Sequence, residues 1–326
     1  MIEVLSSGAA NLIQDLGRRG YLDNGLSRGG AMDSLALSVA NAMVGNDARE
    51  AGIEVSMFPF KIRSTEDIDF AVAGADCVVR VEDEIVAPWW GRAAKAGQTI
   101  VIERPRRGAR AYLAVGGGID VEMIMGSRST DLKANFGGMQ GRGLKRGDQL
   151  GACEPYGKPR RQAAGLGVVP RDLPAFWQAL SAGEVAVRVL EGAEYALFDS
   201  SARTAFAQSA YEVTADANRV GYRLSGAPLG LAAPVELLSH GIVPGTVQVP
   251  PSGQPIIQLA EANTCGGYPK IATVIEADLW KLAQAPVGCR IRFESVDIDT
   301  AVCALQEQAE ELGRIRNALA LMAHRA

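Results

Sequence analysis

Between Ser127 and Asp131 the chain sets Ser127, Arg128, Ser129, Thr130 and Asp131 in direct succession: a guanidinium fork, three hydroxyls and a carboxylate. Lys133, Gln140, Arg142, Lys145 and Arg146 follow, spaced by Gly137, Gly138, Gly141 and Gly143. Arginine and lysine beside main-chain amides freed by glycine are what an oxyanion such as a carboxylate, phosphate or carbonate requires. A solvated basic loop with a Ser/Thr/Asp helix cap is the plainer reading. The concentration of hydroxyl, arginine and carboxylate exceeds what a cap needs.

Three further clusters could do chemistry. Gln14–Asp33 interleaves Asp15, Arg18, Arg28 and Asp33 with glycines, which let main chain approach a ligand or a neighbouring segment closely; a surface loop reads equally well. Asp216–Gly226 groups Asn218, Arg219, Tyr222 and Arg223 around a glycine, and a polar hairpin turn is the plainer account. The fourth, "QVPPSGQPIIQLAEANTCGGYPKIATV" (Gln248–Val274), reads as a hairpin feeding a polar run. A register symmetric about Gly253 puts Gln248 opposite Gln258. Beyond the second strand, Glu261, Asn263, Thr264, Cys265 and Tyr268 suit the mouth of a barrel. Cys265 has no neighbour in sequence that would activate it and reads as a small filler.

What is missing narrows the chemistry. No GxxxxGK[ST] phosphate loop occurs. "AVGGGIDVEMIMG" fails the GxGxxG spacing and reads as a β turn. There are two histidines. His240 follows Ser239, and strand neighbours point to opposite faces, a poor nucleophile–base pair; His324 lies near the C-terminal end. No Met-Lys-Met biotin-attachment motif is present, so any biotin would arrive on another protein. The five cysteines include no CxxC pair, which speaks against a zinc or disulfide framework and for a reduced cytoplasmic setting. No metal ligand is assigned.

The elements that must position these groups are mostly strands. Runs such as "IDFAVAG", "ARAYLAVGG", "VAVRVLEG", "KIATVI" and "CRIRFESV" recur between glycines and prolines, as in barrels or sandwiches. Met32, Leu35, Val39 and Met43 predict a helix near 31–45, capped by Asp33 or Ser34 and closed by Gly45. The Pro-, Gly- and Arg-rich stretch 153–184 reads as a linker with a short helix at Phe176–Leu180. It divides a first β unit (1–152) from a second (185–295). From 296 to 326 a helix carries Val302, Leu305, Ala309, Leu312, Ile315 and Leu319 on one face.

At 326 residues with 48% hydrophobic content, the chain fits about two globular domains. Its formal net charge of −4 provides no field for nucleic acid and no polybasic membrane anchor. No apolar run approaches the roughly 20 residues of a bilayer span, and the start lacks the pattern of a signal peptide.

Four segments in order, "IQDLGRRGYLDNGLSRGGAMD", "GGGIDVEMIMGSRSTDLKANFGGMQGRGLKRGD", "ANRVGYRLSG" and "ELLSHGIVPGTVQVPPSGQPIIQLAEANTCGGYPKIATVI", together resemble the KipA/PxpC family. This family is also called allophanate hydrolase subunit 2, or carboxyltransferase subdomains A and B. The likeness spans about residues 5 to 295. It departs at Thr264-Cys265, where the family pattern has Thr-Thr, at Arg28-Gly29-Gly30 before "AMD", and at Met57–Phe60. The resemblance implies a mainly β fold of two cyclophilin-like β-barrel units with a few helices and a C-terminal helix. It implies a KipI/PxpB-like partner and a PxpA-like third subunit, which together open the lactam 5-oxoproline with ATP and Mg2+. In that setting Arg128 and Arg142 would bind anions, and Ser129 and Thr130 would orient the substrate. Asp131 would act as base or hold Arg128. Gln248, Glu261, Thr264 and Tyr268 would line the second mouth. Gln140, Asn218, Arg219 and Tyr222 would add substrate contacts, and Lys133, Gly137 and Gly138 would face the nucleotide. Two other roles fit the same resemblance: carboxyl transfer from biotin to urea, and a KipA-like regulatory protein that sequesters its partner.

Overall fold

The computed structural model describes residues 2–154 and 165–323. These fall into two compact units. One holds the described residues of Met1–Arg18, Gly29–Arg171 and Glu310–Ala326; the other holds Arg19–Arg28 and Asp172–Ala309. Residues 155–164 of the expected linker, and His324, lie outside the described residues.

In the first unit the strands divide between a seven-stranded and a six-stranded sheet rather than closing into one barrel. The seven-stranded sheet is centred on Ile2–Ser6, Phe60–Ser64 and Thr99–Ile102, and the six-stranded one on Ile68–Asp76 and Arg107–Val115. Period-two alternation builds the first of these: in Phe60–Ser64, Phe60, Ile62 and Ser64 are buried while Lys61 and Arg63 face water. Both sheets feed a single cluster that includes Val4, Ile53, Phe60, Ile62, Phe70, Val72, Ile100 and Leu113. Helix α1 (Ser34–Met43) packs on Ile68–Asp76 and Arg107–Val115. The Asp33 carboxylate caps it, accepting from Ala36 N at 2.8 Å, and Gly45 follows with φ +81°. The spacing predicts a single buried stripe; instead every residue from Leu35 to Met43 is buried, which is why the helix is apolar on nearly all sides.

In the second unit seven strands close a barrel in the order Glu184–Glu191, Lys270–Val274, Thr246–Gln248, Ile256–Gln258, Gly221–Ser225, Ala210–Val213 and Arg290–Ser295. Closure is made by Glu184–Glu191 pairing parallel to Arg290–Ser295, and it removes the exposed strand edges. Val185, Val187, Val189, Tyr211, Ile257, Ile271, Ile291 and Phe293 are buried. Three helices flank this barrel: α2 (Leu173–Ser181), α3 (Ser200–Gln208) and α4 (Leu279–Gln284). α2 is longer than the expected turn of helix, because Pro174 pre-sets its first turn and Leu173, Phe176, Trp177 and Leu180 are all buried. Within the expected linker Leu166–Gly167 is also a strand, paired with Trp90–Gly91 of the first unit.

Helix α5 (Ile298–Ala323) is capped by Asp297, whose carboxylate accepts from Thr300 N at 2.8 Å. Part of the expected face is inward: Leu319 is buried and Leu312 and Ile315 are half-buried, whereas Val302, Leu305 and Ala309 are exposed and Ala304 is buried in their place. Among the described residues no helix is long and apolar enough to cross a membrane.

Candidate functional site

In the first unit the two glycine-rich segments are tied together by one carboxylate. Asp15 accepts from Ser127 Oγ at 2.7 Å, Ser129 Oγ at 2.5 Å, Arg128 N at 2.6 Å and Gly17 N at 2.7 Å. The hydroxyls of Ser127 and Ser129 are therefore committed to Asp15. Thr130 is fully buried; its carbonyl accepts from Gln14 Nε2 at 3.1 Å, and its hydroxyl has no partner among the described residues. Asp131, also buried, closes a turn by accepting from Ala134 N at 2.9 Å. Gly137 and Gly138 adopt φ of +70° and +51° and lie so close to Ser129 O and Thr130 Oγ1 that no side chain fits.

The two arginines expected to bind anions are held by protein acceptors. Arg128 donates from Nε to Val121 O at 3.1 Å, and its Nη1 lies 3.7 Å from the Glu50 carboxylate. Arg142 makes a two-pronged pair with Asp148 at 2.8 and 2.9 Å, which raises the Arg142 pKa. Lys133 and Gln140 are exposed on the same loop. Arg18, which the sequence marks only as one member of its cluster, is the buried cation here. Its Nη2 donates to Ser129 O at 2.5 Å and it stacks 4.4 Å over the Phe136 ring. Burial pulls its pKa down, against Asp131 and Asp15. The segment from Ser127 to Asp131 is thus tied to Asp15 and Arg18, while Thr130 Oγ1 and the Nε and Nη1 of Arg18 are buried with no hydrogen-bond partner among the described residues.

In the second unit Asn218 Oδ1 accepts from Val220 N at 2.9 Å and Gly221 N at 3.2 Å, the turn chemistry of the plainer reading. Arg219 and Glu261 form a buried pair, Nε to Oε1 2.7 Å. Tyr222 is buried in the barrel wall. The hairpin register is Val247↔Ile257 and Gln248↔Ile256, so Gln248 and Gln258 are diagonal rather than opposite. A shift of two residues keeps a side chain on its face, and Gln258 Nε2 still donates to Gln248 Oε1 at 3.0 Å.

The end of this barrel carries the group that chemistry can use. Two short strands, His240–Gly241 and Cys265–Gly266, pair His240 with Gly266 and Gly241 with Cys265. A Cβ on Gly266 would lie 2.4 Å from Gln248 Nε2, so a side chain there would displace the glutamine amide. Beneath the ribbon, Lys270 Nζ donates to Gly266 O and Tyr268 O, each at 3.3 Å, and stands 3.4 Å from His240 Nδ1. Glu194 completes the cluster: Oε2 accepts from Lys270 N at 3.0 Å and Oε1 lies 3.2 Å from His240 Nε2. Lys270 and Glu194 are buried, and burial lowers the Lys270 pKa against the opposing charge of Glu194. On the ribbon's flank a cleft of about 550 Å³ is lined by Leu22, Asp23, Ile242, Val243, Thr264 and Cys265. Cys265 is exposed there and fills no core. Tyr268 is 48% exposed.

Of the residues singled out in sequence, the structure brings Gln248, Thr264 and the main chain of Tyr268 to this barrel end, and places Arg128 to Arg142 in the other unit. Sequence reasoning misses Lys270, Glu194 and His240 as a set. Lys270 ends a motif whose other polar residues draw the eye, and His240 pairs poorly with its neighbour Ser239. Among the described residues no group of His, Cys, Asp and Glu could hold a metal ion.

The fold is thus mainly β, with a closed seven-stranded barrel in the second unit. The model of the carboxyltransferase domain, subdomain A and B, matches residues 24–295, and the chain belongs to that family. The resemblance read from the motifs is borne out. The chain is 42% identical to the C component of 5-oxoprolinase from Escherichia coli strain K12, covering 94% of this chain and 95% of the relative. Identity to the C component of 5-oxoprolinase from Haemophilus influenzae is 38%, over 97% and 98% of the two chains. The crystal structure of Kluyveromyces lactis urea carboxylase superposes with a TM-score of 0.88 at 28% identity, covering 96% of this chain and 29% of that one.

Proposed function

We propose that this chain is the PxpC-type component of an ATP-dependent 5-oxoprolinase, a cyclic-amide hydrolase that works as a complex with a KipI/PxpB-like subunit and a PxpA-like third subunit. What carries the reading is similarity along almost the whole length of two proteins named as C components of 5-oxoprolinase, at 42% and 38% identity. The overall reaction adds water to 5-oxoproline to form glutamate, and a second water cleaves ATP to ADP and phosphate.

The chemistry asks for activation of a resonance-stabilised lactam carbonyl, with preorganised donors facing the oxygen that gains charge. The group of this chain suited to that task is His240 at the end of the second-unit barrel, whose Nε2 lies 3.2 Å from Glu194 Oε1. A triphosphate fits less well. Arg142 is paired with Asp148 and Arg128 donates from Nε to Val121 O, so ATP with Mg2+ is assigned to the assembled complex and no nucleotide step is placed on this chain. A cytoplasmic setting accords with this role.

The alternative, carboxyl transfer from a biotin carried by another protein, draws on the fold shared with urea carboxylase. Co-expression with both partner subunits separates the two. Phosphate release by the purified complex should depend on 5-oxoproline and be indifferent to urea. An intact complex that ignores 5-oxoproline, or that carboxylates urea when given a carboxybiotin carrier, would refute the proposal.

A further inference from the structure

We infer that Lys270 is the counter-ion for the substrate's carboxylate, and so the residue that makes the site prefer a carboxylated lactam over a plain one. The inference rests on the oxoprolinase reading and assigns a specificity-determining role within it. The ammonium is buried yet poorly held. Its approaches to Gly266 O, Tyr268 O and His240 Nδ1 are 3.3, 3.3 and 3.4 Å, and Glu194 Oε2 is 3.9 Å away. A charge-assisted hydrogen bond is ordinarily about 2.7–2.9 Å. Glu194 does not close this gap, because its nearer contacts are the main-chain N–H of Lys270 and the ring of His240.

A second donor at the same place is unspent. Gln248 Nε2 is buried with no hydrogen-bond partner among the described residues, directly under Gly266, whose carbonyl takes the lysine. Buried donors normally find acceptors. One charged and one neutral donor converging on a residue that lacks a side chain suit a planar, anionic two-oxygen group. The roof over them is a two-pair ribbon, a short ladder that a ligand displaces at little cost.

The test uses the assembled complex and two small molecules: 5-oxoproline as substrate, and 2-pyrrolidinone, the same lactam without a carboxylate, as competitive inhibitor. Lys270→Met should raise the KM for 5-oxoproline about 100-fold, in keeping with truncation of one partner of a buried charged pair, while the Ki of 2-pyrrolidinone moves by less than about threefold. Lys270→Arg, which keeps a cation, should retain the preference; it carries the test if the methionine variant fails to assemble. Parallel changes in KM and Ki, or no change in either, would overturn the inference while leaving the oxoprolinase reading intact. Wild-type complex without 5-oxoproline-dependent turnover would overturn the reading itself, and the inference with it.

Discussion

Asp15 decides the shape of the first unit's loops, because one buried carboxylate satisfies two hydroxyls and two main-chain amides. Asp15→Ala leaves these donors without their acceptor. At roughly 1.5–3 kcal/mol for each hydrogen bond to a charged group, partly regained from water, a loss of about 3 kcal/mol is expected. Thermal melting of the purified chain measures it. Arg142 makes the opposite case. Its guanidinium is about a third exposed and already paired with Asp148, so Arg142→Ala should cost only about 1 kcal/mol and leave the KM for 5-oxoproline within twofold. A tenfold rise in that KM would return the basic loop to the substrate site.

At the scale of elements, close approach controls the fold of the same loop. A Cβ on Gly138 would sit 1.9 Å from Thr130 Oγ1 in a left-handed conformation, φ +51°. Gly138→Ala should therefore unfold the segment or destabilise it by at least about 2 kcal/mol, since strain and overlap add; denaturant titration reads the shift in midpoint. How much of this is legible in the sequence depends on the range of the interactions. Strands with clean alternation, such as Phe60–Ser64, follow from period two alone. The symmetric hairpin register is off by two residues along one strand, yet the two glutamines still meet, because such a slip preserves the face. The apolar spacing of α5 gives the inward stripe over its second half, Leu312, Ile315 and Leu319, but not over its first, where packing on Ile275 and Ala277 selects Ala304 over Val302 and Leu305. Lys270 is illegible as a buried group. A lysine in a strand reads as solvent-facing, and its main-chain N–H is held by Glu194, 76 residues earlier.

For the molecule as a whole, each unit carries a carboxylate whose ionisation supports it. Burial alone would raise the pKa of Asp148 and Asp278. The hydrogen bonds from Arg142 and Lys145 N to Asp148, and from Arg188 with the charge of Lys281 to Asp278, outweigh that and hold both below the ordinary range. A depressed carboxyl contributes its full stability above its unfolded value near ~3.9, and loses it as pH falls through the lower folded value. Stability should therefore be flat above about pH 5 and fall below about pH 4. Asp278→Asn should be less stable by about 3 kcal/mol at neutral pH and show a shallower acid slope, both followed by denaturant melts across pH. The acid–base cluster is at the end of the second-unit barrel. This barrel end is the proposed seat of the substrate. A crystal structure of the assembled complex with 5-oxoproline tests it most directly. The ligand carboxylate is expected within hydrogen-bonding distance of Lys270 Nζ, with the ribbon of His240–Gly241 and Cys265–Gly266 over it. Density for the lactam against the loops around Asp15 and Arg128, with Lys270 still buried beneath Gly266 and Tyr268, would contradict the account.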